Sequence, residues 1–239
     1  MRFGIAVFPG TWSDRDCKHA VELSGNDAVM LWHKERELRG ADCVILPGGF
    51  AYGDYLRAGA VARFAPLMES VIEFADAGGL VWGICNGFQI LCEAHLLPGA
   101  LTRNGSLEYR CEATWLRVEN VDTVYTAEAD LGSVLQIPVS HGEGRYVADE
   151  ATLDMLEREQ RVAFRYVARD GSPVGAASPN GSMRDIAGIV NERRNVLGMM
   201  PHPERACELL LGSADGLRLF ESVAKQIARN GAVPVAAVP

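Results

Sequence analysis

No stretch of this 239-residue chain is long and apolar enough to span a membrane. The N-terminus, Met1 to Gly10, runs directly into a strand-like pattern and lacks the cleavage region of a signal peptide. A cytoplasmic setting with no membrane partner is therefore expected. The six cysteines, Cys17, Cys43, Cys85, Cys92, Cys111 and Cys207, contain no C-x-x-C pair, which argues against zinc and thioredoxin-like sites. No metal site is expected, and in a reducing compartment neither is a disulfide framework. Basic excess is also missing: acidic residues outnumber basic ones 31 to 23, for a net charge of -8. That disfavours a nucleic-acid partner, which would call for a basic stripe. No G-x-x-x-x-G-K occurs, and no G-x-G-x-x-G follows the first strand, so any ATP used should bind on another chain. Internal repeats and low-complexity linkers are absent.

What is present is ordinary globular composition, with 48% hydrophobic and 23% charged residues. Short apolar runs at 3–8, 27–32, 43–46 and 80–84 alternate with helical patterns at 13–23, 61–74 and 86–96. Ser13 or Asp14 is placed to cap the first helix. Alternation of this kind predicts an α/β fold with a mostly parallel sheet flanked by helices. Between Thr114 and Val147 the strand-like runs crowd together, which predicts a small antiparallel excursion on the same domain. Further strands are expected at 162–167, 186–190 and 196–200, and a last helix at 214–229. Residues 1–230 are expected to form one domain and 231–239 a flexible tail.

The sharpest chemical signal is Gly83-Ile84-Cys85-Asn86-Gly87-Phe88-Gln89, where a buried strand turns abruptly into a helix. Such a turn presents a nucleophile at the sheet's carboxyl edge, with flanking glycines to ease the bend. The helix N-terminus favours an anion, and the Asn86 amide can face a developing oxyanion. A buried structural cysteine is the alternative reading of the same stretch. A nucleophilic cysteine needs a base, and the base needs an orienting group. Two histidines precede a carboxylate by two residues: His141-Gly142-Glu143 and His202-Pro203-Glu204. Pro203 holds its segment out of helix, and in extended chain residues two apart point the same way. That favours His202 with Glu204, while His141 remains a competitor. Pro47-Gly48-Gly49 ends a strand, and its amides could complete an oxyanion hole, or form an ordinary turn.

Taken together, these residues resemble the class I, triad-type glutamine amidotransferases, with order and spacing matched over nearly the whole chain. A closer resemblance is to the glutaminase-subunit family of phosphoribosylformylglycinamidine synthase. It rests on Phe50 to Gly59, Asn86 to Gln89, His141 to Tyr146, Pro179-Asn180-Gly181-Ser182 with Ile186 to Ile189, and Met200 to Arg205. One departure is Trp12-Ser13-Asp14, where that family usually has asparagine-cysteine-aspartate.

The resemblance implies a flavodoxin-like architecture and a catalytic triad of Cys85, His202 and Glu204. It also implies an oxyanion hole from Gly48, Gly49 and Asn86. Glutamine would be held by Gln89 and by His141, Gly142 and Glu143, the last three through the backbone. It further implies hydrolysis of glutamine through a Cys85 thioester, with ammonia passed to an ATP-dependent synthetase in purine biosynthesis. The partners implied are that synthetase, on its own chain, and a small third subunit of the same complex. ATP and Mg would act on the synthetase, leaving this chain without a cofactor. Tyr52 to Arg57 and Arg145-Tyr146 are the expected docking segments. Two rival functions stand beside this one: a stand-alone γ-glutamyl thiol hydrolase of the same fold, and a non-catalytic binding subunit.

Overall fold

The structure is a computed structural model that describes residues 1–175 and 178–230; the expected tail, 231–239, lies outside the described residues. The described residues form eleven strands and five α-helices. The strands are β1 (Arg2–Val7), β2 (Asp27–Trp32), β3 (Cys43–Leu46), β4 (Leu80–Ile84), β5 (Ala100–Thr102), β6 (Arg110–Val118), β7 (Val134–His141), β8 (Arg145–Val147), β9 (Val162–Val167), β10 (Ile186–Val190) and β11 (Val196–Met199). The helices are α1 (Asp14–Leu23), α2 (Pro66–Asp76), α3 (Asn86–Glu93), α4 (Glu150–Arg158) and α5 (Leu217–Asn230).

Nine strands form one sheet in the order β2-β1-β3-β4-β11-β10-β9-β6-β7, and β5 pairs with β8 apart from it. From β2 to β11 all pairings are parallel. From β11 to β7 all are antiparallel. The α/β class and the antiparallel excursion are both present, but the excursion is an integral continuation of the main sheet, four strands wide. Sequence spacing reveals that runs lie close together; it does not reveal that they extend an existing edge.

The parallel strands explain where function sits. In β3, β4 and β11, Leu46 faces Gly83, Gly83 faces Gly198, and Ile84 faces Met199. The segments leaving these strands therefore emerge along one edge, as in open α/β sheets generally. Alternating direction from β11 through β10, β9 and β6 brings the end of β7 to the same edge. Helix α3 packs on β3, β4 and β11, and α1 on β1, β2 and α5. Trp82 of β4, fully buried, stacks obliquely on Phe220 of α5 at 4.7 Å and lies 5.8 Å from Tyr125.

Two local expectations change. The helical pattern from Val61 is broken, because Pro66 forces Ala65 into extended backbone (ψ 142°). A 3₁₀ turn at Ala62–Phe64 precedes it, and α2 starts with proline at its first position. Helix α4 was not anticipated, although it carries a cap signal: Asp149 accepts from the Thr152 amide at 2.7 Å.

Candidate active site

Cys85 lies between β4 and α3 with φ 52° and ψ −105°, a conformation L-residues seldom adopt. It is held there from both sides. Its amide donates to Met199 O at 2.8 Å, and its carbonyl accepts from the Phe88 and Gln89 amides at 3.0 and 3.2 Å. The strain is taken by the cysteine itself, and the flanking glycines have a different task from easing the bend. A Cβ on Gly87 would sit 1.9 Å from Leu46 O, and one on Gly83 would sit 2.6 Å from Gly87 O. Both glycines permit backbones to approach, which lets β3, β4 and α3 pack around the turn. Cys85 is 5% exposed, and its Sγ lies 3.7 Å from Ser140 O.

His202 follows β11, and its amide donates to Pro138 O of β7 at 2.8 Å. Its Nδ1 lies 2.6 Å from Glu204 Oε1, with both side chains buried. The expected pairing is formed, but not through extended chain. His202 is non-helical (φ −103°, ψ 86°), and Pro203–Arg205 then make a 3₁₀ turn. Proline keeps the preceding residue out of helix yet suits the first position of a helical turn. Burial opposes charge on the His202 ring, but the Glu204 carboxylate and then the Cys85 thiol outweigh it, and the ring is held above its ordinary range. With Nδ1 engaged by Glu204, Nε2 is the nitrogen left for Cys85 and substrate.

His141 moves the opposite way. Burial, reinforced by His202, pushes it down to about 4, so its ring is neutral near pH 7. Its Nδ1 faces Asn104 Oδ1 at 3.1 Å. Asn104 already donates through Nδ2 to the carbonyls of Glu108 and His141, so Oδ1 is the acceptor and His141 carries its proton on Nδ1. The two histidines are equally buried; what separates them is the carboxylate, which only His202 has.

The oxyanion loop needs one correction. The Gly48 amide donates to Ser13 Oγ at 2.9 Å and is not free for substrate. Its carbonyl accepts from the Trp12 and Ser13 amides at 3.0 and 3.1 Å. Gly48 instead makes room, since a Cβ there would lie 2.6 Å from the His202 ring. Among the described residues the amides of Gly49 and Asn86 have no partner, so of the three expected donors these two are free to face an oxyanion. Ser13 caps no amide of α1; its hydroxyl is spent on Gly48.

A cavity of about 210 Å³ brings Cys85 and Gly49 together with Gln89, His141, Gly142 and Glu143, as the resemblance implies. Asp54, Tyr109 and Ser140 also line it and were not anticipated. A second cavity, about 430 Å³, shares Gly49, Phe50, Tyr109 and Ser140 and reaches His202. Gln89 is a brace as much as a wall: its Nε2 donates to Glu143 O at 2.6 Å, and its Oε1 accepts from Asn86 Nδ2 at 2.8 Å. Asn104, fully buried, also receives the Gly144 amide at 2.9 Å and so shapes the segment 141–144. It lies in a polar loop with no motif to mark it. Asp54 had a signal, since it lies inside the Phe50–Gly59 stretch that resembles the glutaminase subunits.

The docking segments are only partly exposed. Tyr146 is fully buried, stacked on Phe88 at 5.9 Å with its hydroxyl donating to Pro98 O, and cannot dock a partner. Tyr52 is half-buried with its hydroxyl 2.6 Å from His33 Nδ1. Tyr55 and Leu56, 77% and 90% exposed, remain on the surface with Gly53, Arg57 and Arg145.

The sequence model of the CobB/CobQ-like glutamine amidotransferase domain matches residues 1–224. Fold, site and this match define the class, a triad-type glutamine amidotransferase. The chain is 56% identical over 228 residues to the phosphoribosylformylglycinamidine synthase subunit PurQ of Streptomyces avermitilis, covering 95% of this chain and 97% of that one. It is 55% identical to the protein of the same name from Moorella thermoacetica, covering 93% and 95%. A chain in the structure of PurLQS from Thermotoga maritima superposes with a TM-score of 0.84 at 41% identity, covering 95% of this chain and 98% of that chain. The crystal structure of another glutamine amidotransferase from Thermotoga maritima shares the fold alone, with a TM-score of 0.54 at 15% identity, covering 96% of this chain and 85% of that chain. The chain belongs to the PurQ family of phosphoribosylformylglycinamidine synthase subunits.

Proposed function

We propose that this chain is the glutaminase subunit of phosphoribosylformylglycinamidine synthase, cleaving the side-chain amide of glutamine and delivering ammonia. The observation that carries the reading is the buried His202–Glu204 pair set beside Cys85, which stands at a strained strand–helix turn. The Cys85 thiol gives its proton to His202, and the resulting thiolate attacks the δ-carbon of glutamine; the carbonyl electron pair moves to oxygen, facing the Gly49 and Asn86 amides. The C–N bond breaks, and its nitrogen takes the proton from His202 to leave as ammonia. A γ-glutamyl thioester remains. His202, now neutral, takes a proton from water as the new O–C bond forms, and the C–S bond breaks to release glutamate. The elevated affinity of His202 for its proton suits the first half, when it must act as an acid near neutral pH. Forming the thioester removes the thiolate charge that raises that affinity, which suits the second half, when His202 must act as a base.

Ammonia loses its nucleophilic lone pair when protonated, so sheltered transfer to a partner is favoured. The partner is an ATP- and Mg-dependent synthetase that converts formylglycinamide ribonucleotide to the amidine, assembled with a small third subunit. All six cysteines are unpaired, which fits a cytoplasmic, reducing setting. Among the described residues no helix is long and apolar enough to cross a membrane.

The test is to mix the chain with the small third subunit plus the synthetase and follow glutamate release with and without formylglycinamide ribonucleotide and ATP. Cys85→Ala is expected to abolish glutamine-dependent synthesis and leave ammonia-dependent synthesis intact. Survival of glutamine use in that variant would refute the assignment.

A further inference from the structure

The cavity that holds Cys85 has a surplus of acceptors and neither lysine nor arginine in its lining. Asp54 and Glu143 both line it. Asp54 makes no ion pair among the described residues, and its one hydrogen bond, from Asn86 Nδ2, is long at 3.3 Å. The nearest cation to Glu143 is Arg103, 3.9 Å away and well exposed. A carboxylate placed for structure is normally pulled down by its partners; Asp54 is pushed up to about 6, by burial first and by Glu143 second. His141 adds an independent sign. It is 3% exposed, lines the same cavity, and its Nε2 has no partner. With the ring proton on Nδ1, that nitrogen is one more acceptor awaiting a donor.

The backbone goes to some lengths to keep Asp54 there. Tyr52, Gly53, Asp54 and Leu56 all have positive φ, between 53° and 72°. The run is pinned by the Tyr52 hydroxyl on His33, by the Tyr52 amide on Pro9 O at 2.6 Å, and by the Ala51 amide on Asn86 Oδ1 at 3.0 Å. Strain of this kind persists where the surroundings over-determine it, and it clusters at ligand clamps. A hydrogen-bonded chain then runs Asp54–Asn86–Gln89–Glu143 O, which spaces the two acidic segments across the cavity.

We propose that Asp54, with Glu143 beside it, anchors the α-ammonium group of glutamine and so selects an amino acid over a simple amide. The inference rests on the glutaminase reading above. Glutamine brings one cation with three N–H donors into a cavity that has acidic groups and spare acceptors. Charge-assisted hydrogen bonds are the stronger kind, and a site built for such a donor rejects an analogue that lacks it.

The experiment uses the assembled complex and compares ammonia release from glutamine with release from glutaramate, which lacks only the α-amino group. The wild-type complex is expected to favour glutamine in kcat/KM on the order of 100-fold, less than a fully buried site reaches because Asp54 is partly exposed. Asp54→Asn should narrow that preference to under roughly tenfold, mainly through the KM for glutamine, with Asp54→Glu restoring part of it. Glu143→Gln should narrow it in the same direction. If Asp54→Asn lowers both substrates equally, so that the wild-type ratio survives, Asp54 is only a loop brace and the inference is overturned. A wild-type complex that uses both substrates equally overturns it as well, while leaving the glutaminase reading in place. A wild-type complex that releases no ammonia from glutamine overturns the glutaminase reading and this inference with it.

Discussion

Replacing Glu204 by glutamine keeps the shape of the site and removes one charge. Glu204 is 2% exposed, and its Oε1 lies 2.6 Å from His202 Nδ1. It is the foremost of the influences that raise the affinity of His202 for its proton against burial. Breaking a buried ion pair by removing one partner costs about 3–5 kcal/mol, because the other charge is stranded. At about 1.4 kcal/mol per decade, that corresponds to roughly two to four orders of magnitude in kcat if the imidazolium is needed in the rate-limiting step. The amide can also turn its NH₂ toward Nδ1, which selects the wrong ring tautomer and compounds the loss. Glu204 lines neither cavity at the site, so the KM for glutamine should change little. The assay is glutamate release by the assembled complex, with ammonia-dependent amidine synthesis as the internal control. A Glu204→Gln variant that keeps more than about a tenth of the wild-type kcat would refute the assignment of His202 as acid and base.

Ser13→Ala strands the buried Gly48 amide and should cost about 1–3 kcal/mol, read as a lower melting temperature, with a fall in kcat as the loop before Gly49 loosens. Equal melting temperature and kcat would show that the contact is incidental. Acid stability carries two opposing slopes. His141, depressed to about 4 in the fold from about 6.5 when unfolded, lends stability that is complete above pH 6.5 and is lost as the pH falls toward 4, by about 3 kcal/mol. Asp54, raised to about 6 from about 3.9, acts the other way: it costs stability as the pH rises through that window. The two largely offset one another in the wild type. Asp54→Asn should therefore melt higher near pH 7 and lose stability more steeply on acidification to pH 4, and a parallel pair of melting curves would contradict both assignments.

Several parts of the site were legible because their determinants are local. The strand–turn–helix at Cys85 follows from five buried residues running into Cys85 and a helix-forming run. The His202–Glu204 pair follows from a proline that restricts the residue before it. Elsewhere a local signal was present but was overruled. Ser13 has the position of a helix cap, yet its hydroxyl goes to an amide 35 residues away, since that amide is buried and has no nearer acceptor. Gly83 and Gly87 read as bend residues, yet the bend belongs to Cys85 and the glycines answer to Leu46 and to each other.

The sequence by itself determined most of the strands and helices, the order of the chemical groups along the chain, and the candidacy of Cys85 with the His202-Pro203-Glu204 segment. Those follow from residue spacing, turn chemistry and hydrophobic period, all properties of short segments. Only the tertiary structure decided which histidine carries charge, because both precede a carboxylate by two residues and only His202 has that carboxylate within hydrogen-bond reach. It also decided that the Gly48 amide is taken by Ser13, that Tyr146 is buried, and that Asp54 lines the same cavity as Cys85. Each depends on contacts between segments far apart in the chain, where burial and the field of neighbouring charges act and no local pattern can record them.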